Sequence, residues 1–440
     1  MSKQNAYAWW VVAILTLAYI FSFIDRIILS LLVDPIKRDM HLSDVQISYL
    51  MGLSFAIFYT VLGIPFGWLA DRTNRKWLIT FGIFSWSLFT AGCGLVRQYW
   101  HFFFMRAGVG VGEATLSPAA YSMIADYFPK EKLSRALSVY GTGIYIGSGL
   151  SMIAGSSVLY WVGDSRTAHV PFFGEIFSWQ LVFFYVGLPG VLIALLMATV
   201  REPARQGARK EAVSLTETLA YLRPNALSFF GMSFGFGFYT MVTYSAASWV
   251  PTFLVRTYGI DKISVGFYYG ISTIVMAGAG ILVGGWLSDY WEKKGIVNAK
   301  IRVALIGVVC FLFFNLLFPL MPNFTLAYLF ILPANFFASF PFGAGPAALQ
   351  AMMPNQMRAS SASIGLMIIN LMGMALGPTL VAIYTQYVFG NEAMLRYSLM
   401  LNAVICLALS FVCFAIAHTY YSKSLTYLEG WNKKNEEKNC

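Results

Sequence analysis

The sequence predicts an all-α membrane protein with twelve transmembrane helices in two parallel six-helix bundles, and three observations predict it. The 440 residues are 58% hydrophobic and only 11% charged, with a mean hydropathy of +0.64, whereas a soluble domain carries roughly 25% charged residues. Apolar runs long enough to cross a bilayer recur along the whole chain. Finally, Gly67-Trp68-Leu69-Ala70-Asp71 returns as Gly285-Trp286-Leu287-Ser288-Asp289, 218 residues further on and close to half the chain. A second echo, Pro118-Ala119-Ala120 and Pro346-Ala347-Ala348, supports the duplication. Parallel halves of six spans put a cavity between them at mid-membrane. The expected organisation is an N-terminal bundle over residues 1–200, a cytoplasmic linker over 201–225, a C-terminal bundle over 226–421 and a cytoplasmic tail over 422–440.

A net charge of +10 invites a nucleic-acid reading, which the distribution of the charge excludes. Of the 30 Lys and Arg residues, 21 fall in segments assigned to the inside, 7 in segments assigned to the outside, and Arg26 and Arg106 lie within spans. This bias orients the chain with both termini in the cytoplasm. The first apolar run is too long for a signal-peptide core and lacks a small-residue cleavage site, so it is expected to be retained. The five cysteines show no paired or metal-ligand spacing, so neither a disulfide nor a metal is expected.

Span 1 (9–32) carries adjacent Asp25 and Arg26, about 100° apart on a helix, so one can face a cavity while the other faces a neighbour. In the outer loop that follows, Ser43 and Gln46 have capping-box spacing. Span 2 (45–70) has an aromatic middle, Phe55, Phe58 and Tyr59, that fits helix packing or a substrate-facing wall. It runs into Gly67 to Lys76, a short cytoplasmic turn of opposite charges. There Gly67 permits close helix contact, Asp71 can meet an exposed helix N-terminus, and Arg75 can seek Asp126 at the inner end of span 4. With Arg72 and the repeated Asp289, these residues form a candidate cytoplasmic gate.

Span 3 (77–96) is plain. Span 4 (99–124) contains Arg106-Ala-Gly-Val-Gly-Val-Gly-Glu113, two opposite charges where an insertion penalty of roughly 2.5–3.5 kcal/mol applies to each. Their seven-residue spacing puts both on one helix face, about 10 Å apart. The glycines between them admit a close helix, a solute or water. Span 5 (136–161) is glycine-rich, which suits tight packing and a hinge equally. The outer loop 163–178 is expected to be a plain connector with a solvated His169. Span 6 (179–200) leads to the basic linker, where a surface helix is possible. Spans 7 (225–255), 8 (264–289) and 9 (303–321) follow. Span 10 (324–350) is interrupted by Pro333, Pro341 and Pro346, breaks that need protein or a cavity to satisfy the freed backbone. Span 11 (359–388) holds Asn370 and Gly377-Pro378, and span 12 (397–421) ends in a polar tail expected to lack order.

Twelve spans with Gly67-Trp68-Leu69-Ala70-Asp71-Arg72 and Arg75-Lys76 after the second resemble the major facilitator superfamily across nearly the whole chain. Asp25-Arg26, then Arg106, Gly110, Gly112-Glu113-Ala114, Pro118 and Asp126-Tyr127-Phe128-Pro129, resemble its Spinster-like branch. The resemblance implies proton-linked movement of amphipathic solutes, lysolipids or sphingoid lipids in animal members, by alternating access. It associates Asp25 and Glu113 with protonation, and Arg26 and Arg106 with coupling or substrate contact. Span 5 lacks the Gly-Pro pair of the superfamily's antiporter motif, which leaves the direction of coupling open.

All four unambiguous intramembrane charges fall in the first half, and the second offers neutral groups, among them Tyr239, Thr243, Tyr244 and Asn370. The expectation is therefore a division of labour, with proton binding in the first half and specificity shaped by the second. An enzyme would need a nucleophile with its base or a metal cluster, yet His41, His101, His169 and His418 are scattered. The expected function is proton-coupled transport of an amphipathic or lipid-like solute, with protons as the coupling ion and no cofactor. The alternative is proton symport of a small organic anion, clamped by Arg26 or Arg106. The expected partners are the substrate and membrane lipids, with no nucleic acid, and the expected state is a monomer in a bacterial inner membrane.

Overall fold

The structure is a computed structural model that describes residues 3–163, 166–170, 174–205, 215–354 and 356–439. It is nearly all helix. Among the described residues, ten helices are long and apolar enough to cross a membrane, from Ala6–Leu31 to Glu392–Asn432. The other two spans are the helix Arg75–Cys93 and a divided one, Tyr99–Glu113 and Leu116–Tyr127. The division in span 4 has a local cause. The Thr115 amide and hydroxyl both donate to the Gly112 carbonyl, at 3.3 and 2.8 Å, tightening one turn. Helix starts follow polar caps: Ser43 with Gln46 forms the capping box, and Asn74, Asp261 and Asn323 cap spans 3, 8 and 10.

Several spans leave α-geometry at defined points. Span 1 ends at Ile27 and passes into a 3-10 turn, Ile28–Leu31, while span 2 contains a π-turn, Tyr49–Leu53. Spans 8 and 11 contain π-turns at Thr273–Ala277, Leu371–Leu376 and Tyr384–Val388. Span 10 stays α-helical through Pro333 and breaks at the 3-10 turn Phe340–Gly343. That break is covered by protein. Ser339 donates to the Ala277 carbonyl at 2.6 Å, and a Cβ on Gly284 of span 8 would collide with the Phe340 carbonyl. Most glycines of span 5 serve packing: a Cβ on Gly147 would lie 2.5 Å from the Ile20 carbonyl, and one on Gly155 2.6 Å from Ile28. The helix itself runs unbroken over Lys130–Val162.

Two compact units result. The first comprises Met1–Gln206, Ser245–Ile274 and Pro378–Leu395, and the second Gly207–Tyr244, Val275–Gly377 and Arg396–Cys440. Span 8 passes from one to the other inside its π-turn, and span 11 one residue beyond its first π-turn.

Two connecting segments differ from expectation. The loop 163–178 is more than a connector, because Thr167–Val170 pairs antiparallel with Gly174–Phe177. Arg166, just before this hairpin, donates to Asp39 at 2.9 Å, and His169 is exposed. Burial pushes the Asp39 carboxyl up, but the bonds from Arg38 and Arg166 outweigh it and hold the group below the ordinary carboxylate range. The polar tail is helical, since the last helix runs over Leu395–Asn439. Tyr427 and Trp431 give it an apolar face against Tyr221 of the linker helix Leu215–Leu222, with ring centroids 5.5 and 5.2 Å away. Tyr221 is buried and donates to the Met352 carbonyl at 2.9 Å. Linker residues 206–214 lie outside the described residues.

Candidate functional site

Span 4 is drawn onto spans 2 and 3 by its glycines. A Cβ on Gly110 would sit 2.6 Å from the Phe55 carbonyl, and one on Gly112 2.8 Å from the Trp86 backbone. The space between Arg106 and Glu113 is therefore filled by neighbouring helices. This packing sets Glu113 beside span 1. Its Oε2 accepts from Ser22 Oγ at 2.5 Å, Arg26 Nη2 at 2.6 Å and Arg26 Nε at 3.0 Å. Its Oε1 is buried without a hydrogen-bond partner among the described residues. The Arg26 guanidinium is held in turn by three rings, Phe23, Phe55 and Tyr59, with centroids 4.5, 4.6 and 4.7 Å from its central carbon. Each ring face attracts the cation by about 0.5–2 kcal/mol. Arg26 therefore keeps favourable surroundings even when the carboxylate is neutralised.

Asp25 points elsewhere, as the 100° offset predicts. It is 1% exposed, its Oδ1 has no hydrogen-bond partner among the described residues, and Thr90 of span 3 lies beside it. The unit thus holds two buried carboxylates, each with an idle oxygen. Groups so placed can take up and release a proton.

Arg106 has a different role from its oppositely charged neighbours. It is fully buried and pairs with no carboxylate among the described residues. Its Nη1 donates to the Asp25 carbonyl at 2.8 Å, Nη2 to the Arg26 carbonyl at 3.3 Å and Nε to the Leu50 carbonyl at 3.2 Å. The three carbonyls lie where span 1 ends its α-helix and span 2 turns π-helical, and the Leu50 carbonyl also accepts from Ser54 Oγ at 3.2 Å. The Arg106 bonds take three of its five guanidinium N–H donors, one from each nitrogen, so Arg106 staples the charge-bearing end of span 1 in place.

The charged turn after span 2 forms a second cluster. Arg75 is 1% exposed and pairs with Asp126 at 2.5 Å, the contact its position suggests. It also reaches Glu202 at 2.8 Å, Ser122 Oγ at 2.8 Å and the Pro203 carbonyl at 3.2 Å. The carboxylate at the exposed helix N-terminus is Glu202 and not Asp71: Glu202 accepts from the Lys76 amide at 2.9 Å. Asp71 is exposed, and its backbone carbonyl, with those of Ala70 and Thr73, accepts from Arg205. Glu202 and Arg205 escaped the sequence reading because they sit in a segment that reads as linker. Their signal was Arg201-Glu202-Pro203, charges flanking a proline at the end of an apolar run. Arg72 is exposed and lies over Trp68, 3.8 Å from the ring centroid, and Gly67 packs 3.8 Å from Pro118. In the second unit, Asp289 is exposed and the repeat glycine Gly285 meets Gly343. Neither the Asp71 nor the Asp289 carboxylate has a hydrogen-bond partner among the described residues.

The cavity candidates divide by burial. Tyr59, Thr243, Tyr244 and Asn370 are half-buried. Phe55 and Tyr239 are fully buried. Tyr239 donates to the Phe337 carbonyl and packs on Phe311 and Phe342, so it belongs to the core of its unit and not to a cavity wall. Asn370 immediately precedes the π-turn of span 11. No group of three His, Cys, Asp or Glu side chains that could hold a metal ion occurs among the described residues.

The chain is similar to known proteins over most of its length. A family model described as Major Facilitator Superfamily matches residues 15–378. Protein spinster homolog 1 of Xenopus tropicalis is 30% identical over 425 residues, covering 90% of this chain and 78% of that protein. A probable L-galactonate transporter of Escherichia coli (strain K12) is 28% identical over 314 residues, 70% of this chain and 67% of that one. A crystal structure of a bacterial homolog of the human lysosomal transporter Spinster, inward-facing and unoccupied, superposes with a TM-score of 0.80 at 25% identity, covering 97% of this chain and 99% of that one.

Proposed function

From the premise that the chain belongs to the major facilitator superfamily, in its Spinster-like branch, we propose that this transporter moves an amphipathic or lipid-like solute by alternating access, coupled to protons. The observation that carries the reading is the Glu113–Arg26 pair. A buried carboxylate with one saturated and one idle oxygen faces an arginine that an aromatic cage can hold alone. Protonation of Glu113 releases Arg26 to an anionic or polar head group, and the rings beside it suit the apolar remainder of the same molecule. Asp25 is the second proton site, and Arg106 holds both in register. Tyr59, Thr243, Tyr244 and Asn370 contribute to specificity.

The face that carries the turn between spans 2 and 3 is cytoplasmic, as are both termini, in keeping with the Lys and Arg bias. There the Arg75 cluster, with Gly67, Asp71, Arg72, Asp126, Glu202 and Asp289, serves as the inner gate. The protein works as a monomer in a bacterial inner membrane, with protons as its coupling ion. A second reading, proton symport of a small organic anion, draws support from the similarity to a probable L-galactonate transporter.

The test is proton flux in liposomes with lysolipids, sphingoid bases, hydrophobic drugs or sugar acids added, comparing wild type with Glu113→Gln. Amphipath-dependent flux that the substitution abolishes is expected. Retained pH-driven transport in the variant would remove Glu113 as proton carrier, and flux with sugar acids alone would favour the second reading.

A further inference from the structure

We infer that Arg256 is the keystone of an outer ionic lock that holds the outer ends of spans 7, 8 and 11 on spans 1, 2 and 5, and that the π-turns at Thr273–Ala277 and Leu371–Leu376 are the hinges on which spans 8 and 11 leave it. Arg256, in the last turn of span 7, donates to Asp34 through Nε and Nη2 at 3.0 and 2.8 Å. It donates to both oxygens of Asp44 through Nη1 and Nη2 at 3.0 and 3.1 Å. Glu392, just before span 12, lies 3.5 Å from Nη2. Lys37 completes the ring by pairing with Asp44 at 2.7 Å and with Glu392. Lys262, at the start of span 8, lines a small recess together with Asp34. Three carboxylates from three separate stretches thus face three cations.

The centre of this cluster is dry: the Asp44 side chain is 3% exposed and that of Arg256 11%. Bidentate pairs sheltered in this way are short-ranged in geometry but little screened by salt. Removing one member leaves its partners charged and uncompensated.

Beneath the ring, spans 5 and 8 touch through backbone. A Cβ on Gly266 would lie 2.7 Å from the Met152 carbonyl, and Gly149 and Gly270 face one another closely enough that neither tolerates a side chain. Such a seam is held by dispersion, of which a gap of about 1 Å forfeits up to about half. Closure therefore depends on the ionic ring above it. All these groups belong to the first compact unit, and spans 8 and 11 enter the second at the π-turns. A π-turn interrupts the regular ladder and is a common site of bending. Span 7 has no such turn and carries Arg256 itself.

This device rests on the alternating-access reading, but its test needs neither substrate nor proton gradient, so either idea can fail alone. Thr252 is 3% exposed, with its hydroxyl 3.5 Å from the Ser30 carbonyl. Thr252→Cys, in a protein whose native cysteines are replaced, reports opening through its reaction with a membrane-impermeant maleimide added from outside. Adding Arg256→Gln is expected to raise the labelling rate about tenfold, the effect of about 1.4 kcal/mol on a minor open population. Arg256→Lys should fall between. The amides of the two π-turns should exchange deuterium faster in Arg256→Gln. An unchanged labelling rate in a monodisperse Arg256→Gln protein overturns the lock, and faster labelling with unchanged exchange at both turns overturns the hinges. Should Arg256→Gln not fold, the same readings on Asp34→Asn, whose side chain is 31% exposed, decide both points.

Discussion

Two arginines of like burial behave differently because of what surrounds them. Arg26 has a carboxylate on one side and ring faces on the other, whereas Arg106 is spent on three carbonyls. Replacing Arg106 by Lys keeps the charge but cannot span those acceptors, each worth roughly 1–3 kcal/mol when left unpaired. We expect Arg106→Lys to lose about 3 kcal/mol of stability, read as a lower thermal midpoint in detergent, and Arg26→Lys to lose less, because an ammonium still meets the one Glu113 oxygen and the ring faces. Equal losses in the two variants would show that Arg106 is no special staple. The sequence marked all four intramembrane charges by their cost in lipid, and it paired Arg75 with Asp126 correctly. It could not assign Arg106, because that depends on where span 1 stops and span 2 turns π-helical. Hydrophobic periodicity carries no trace of either break. Tyr239 misled for a related reason: a polar aromatic reads alike whether its hydroxyl meets a solute or a neighbouring carbonyl.

Among the elements, span 5 shows how one residue type serves unlike positions. Gly147 meets the Ile20 backbone at a distance no Cβ tolerates, and Gly141 on the same helix meets nothing within 4 Å. Gly147→Ala should therefore force spans 1 and 5 apart and destabilise the protein by about 1–3 kcal/mol. Gly141→Ala should be neutral or slightly stabilising through helix propensity. Chemical unfolding of the two variants side by side checks this, and equal midpoints would refute the seam. The sequence left span 5 open between packing and hinge, since glycine spacing alone does not say which neighbour is near. It also missed the hairpin at Thr167–Val170 and the helical tail. The first is set by cross-strand pairing, and the second by Tyr427 and Trp431 meeting a helix two hundred residues away in sequence.

For the molecule as a whole, the fold was legible from hydropathy and the internal repeat, and the orientation proposed here follows from Lys and Arg placement. A C-terminal fluorescent-protein fusion is expected to fluoresce in the bacterial cell, while alkaline phosphatase in its place stays inactive. The opposite pattern would invert every inside and outside assignment. The compact units, however, share only part of their outline with the duplicated halves, because Ser245–Ile274 and Pro378–Leu395 belong with the first. A gene cut within the linker would separate the repeats yet strip the first body of pieces it is built with. The N-terminal fragment expressed alone would present the backbone seam of span 5 and the carboxylates Asp34 and Asp44 without their counterparts. Solubility and yield of that fragment should then depend on co-expressing the other, because a boundary that the repeat marks in sequence is not one at which the chain folds independently.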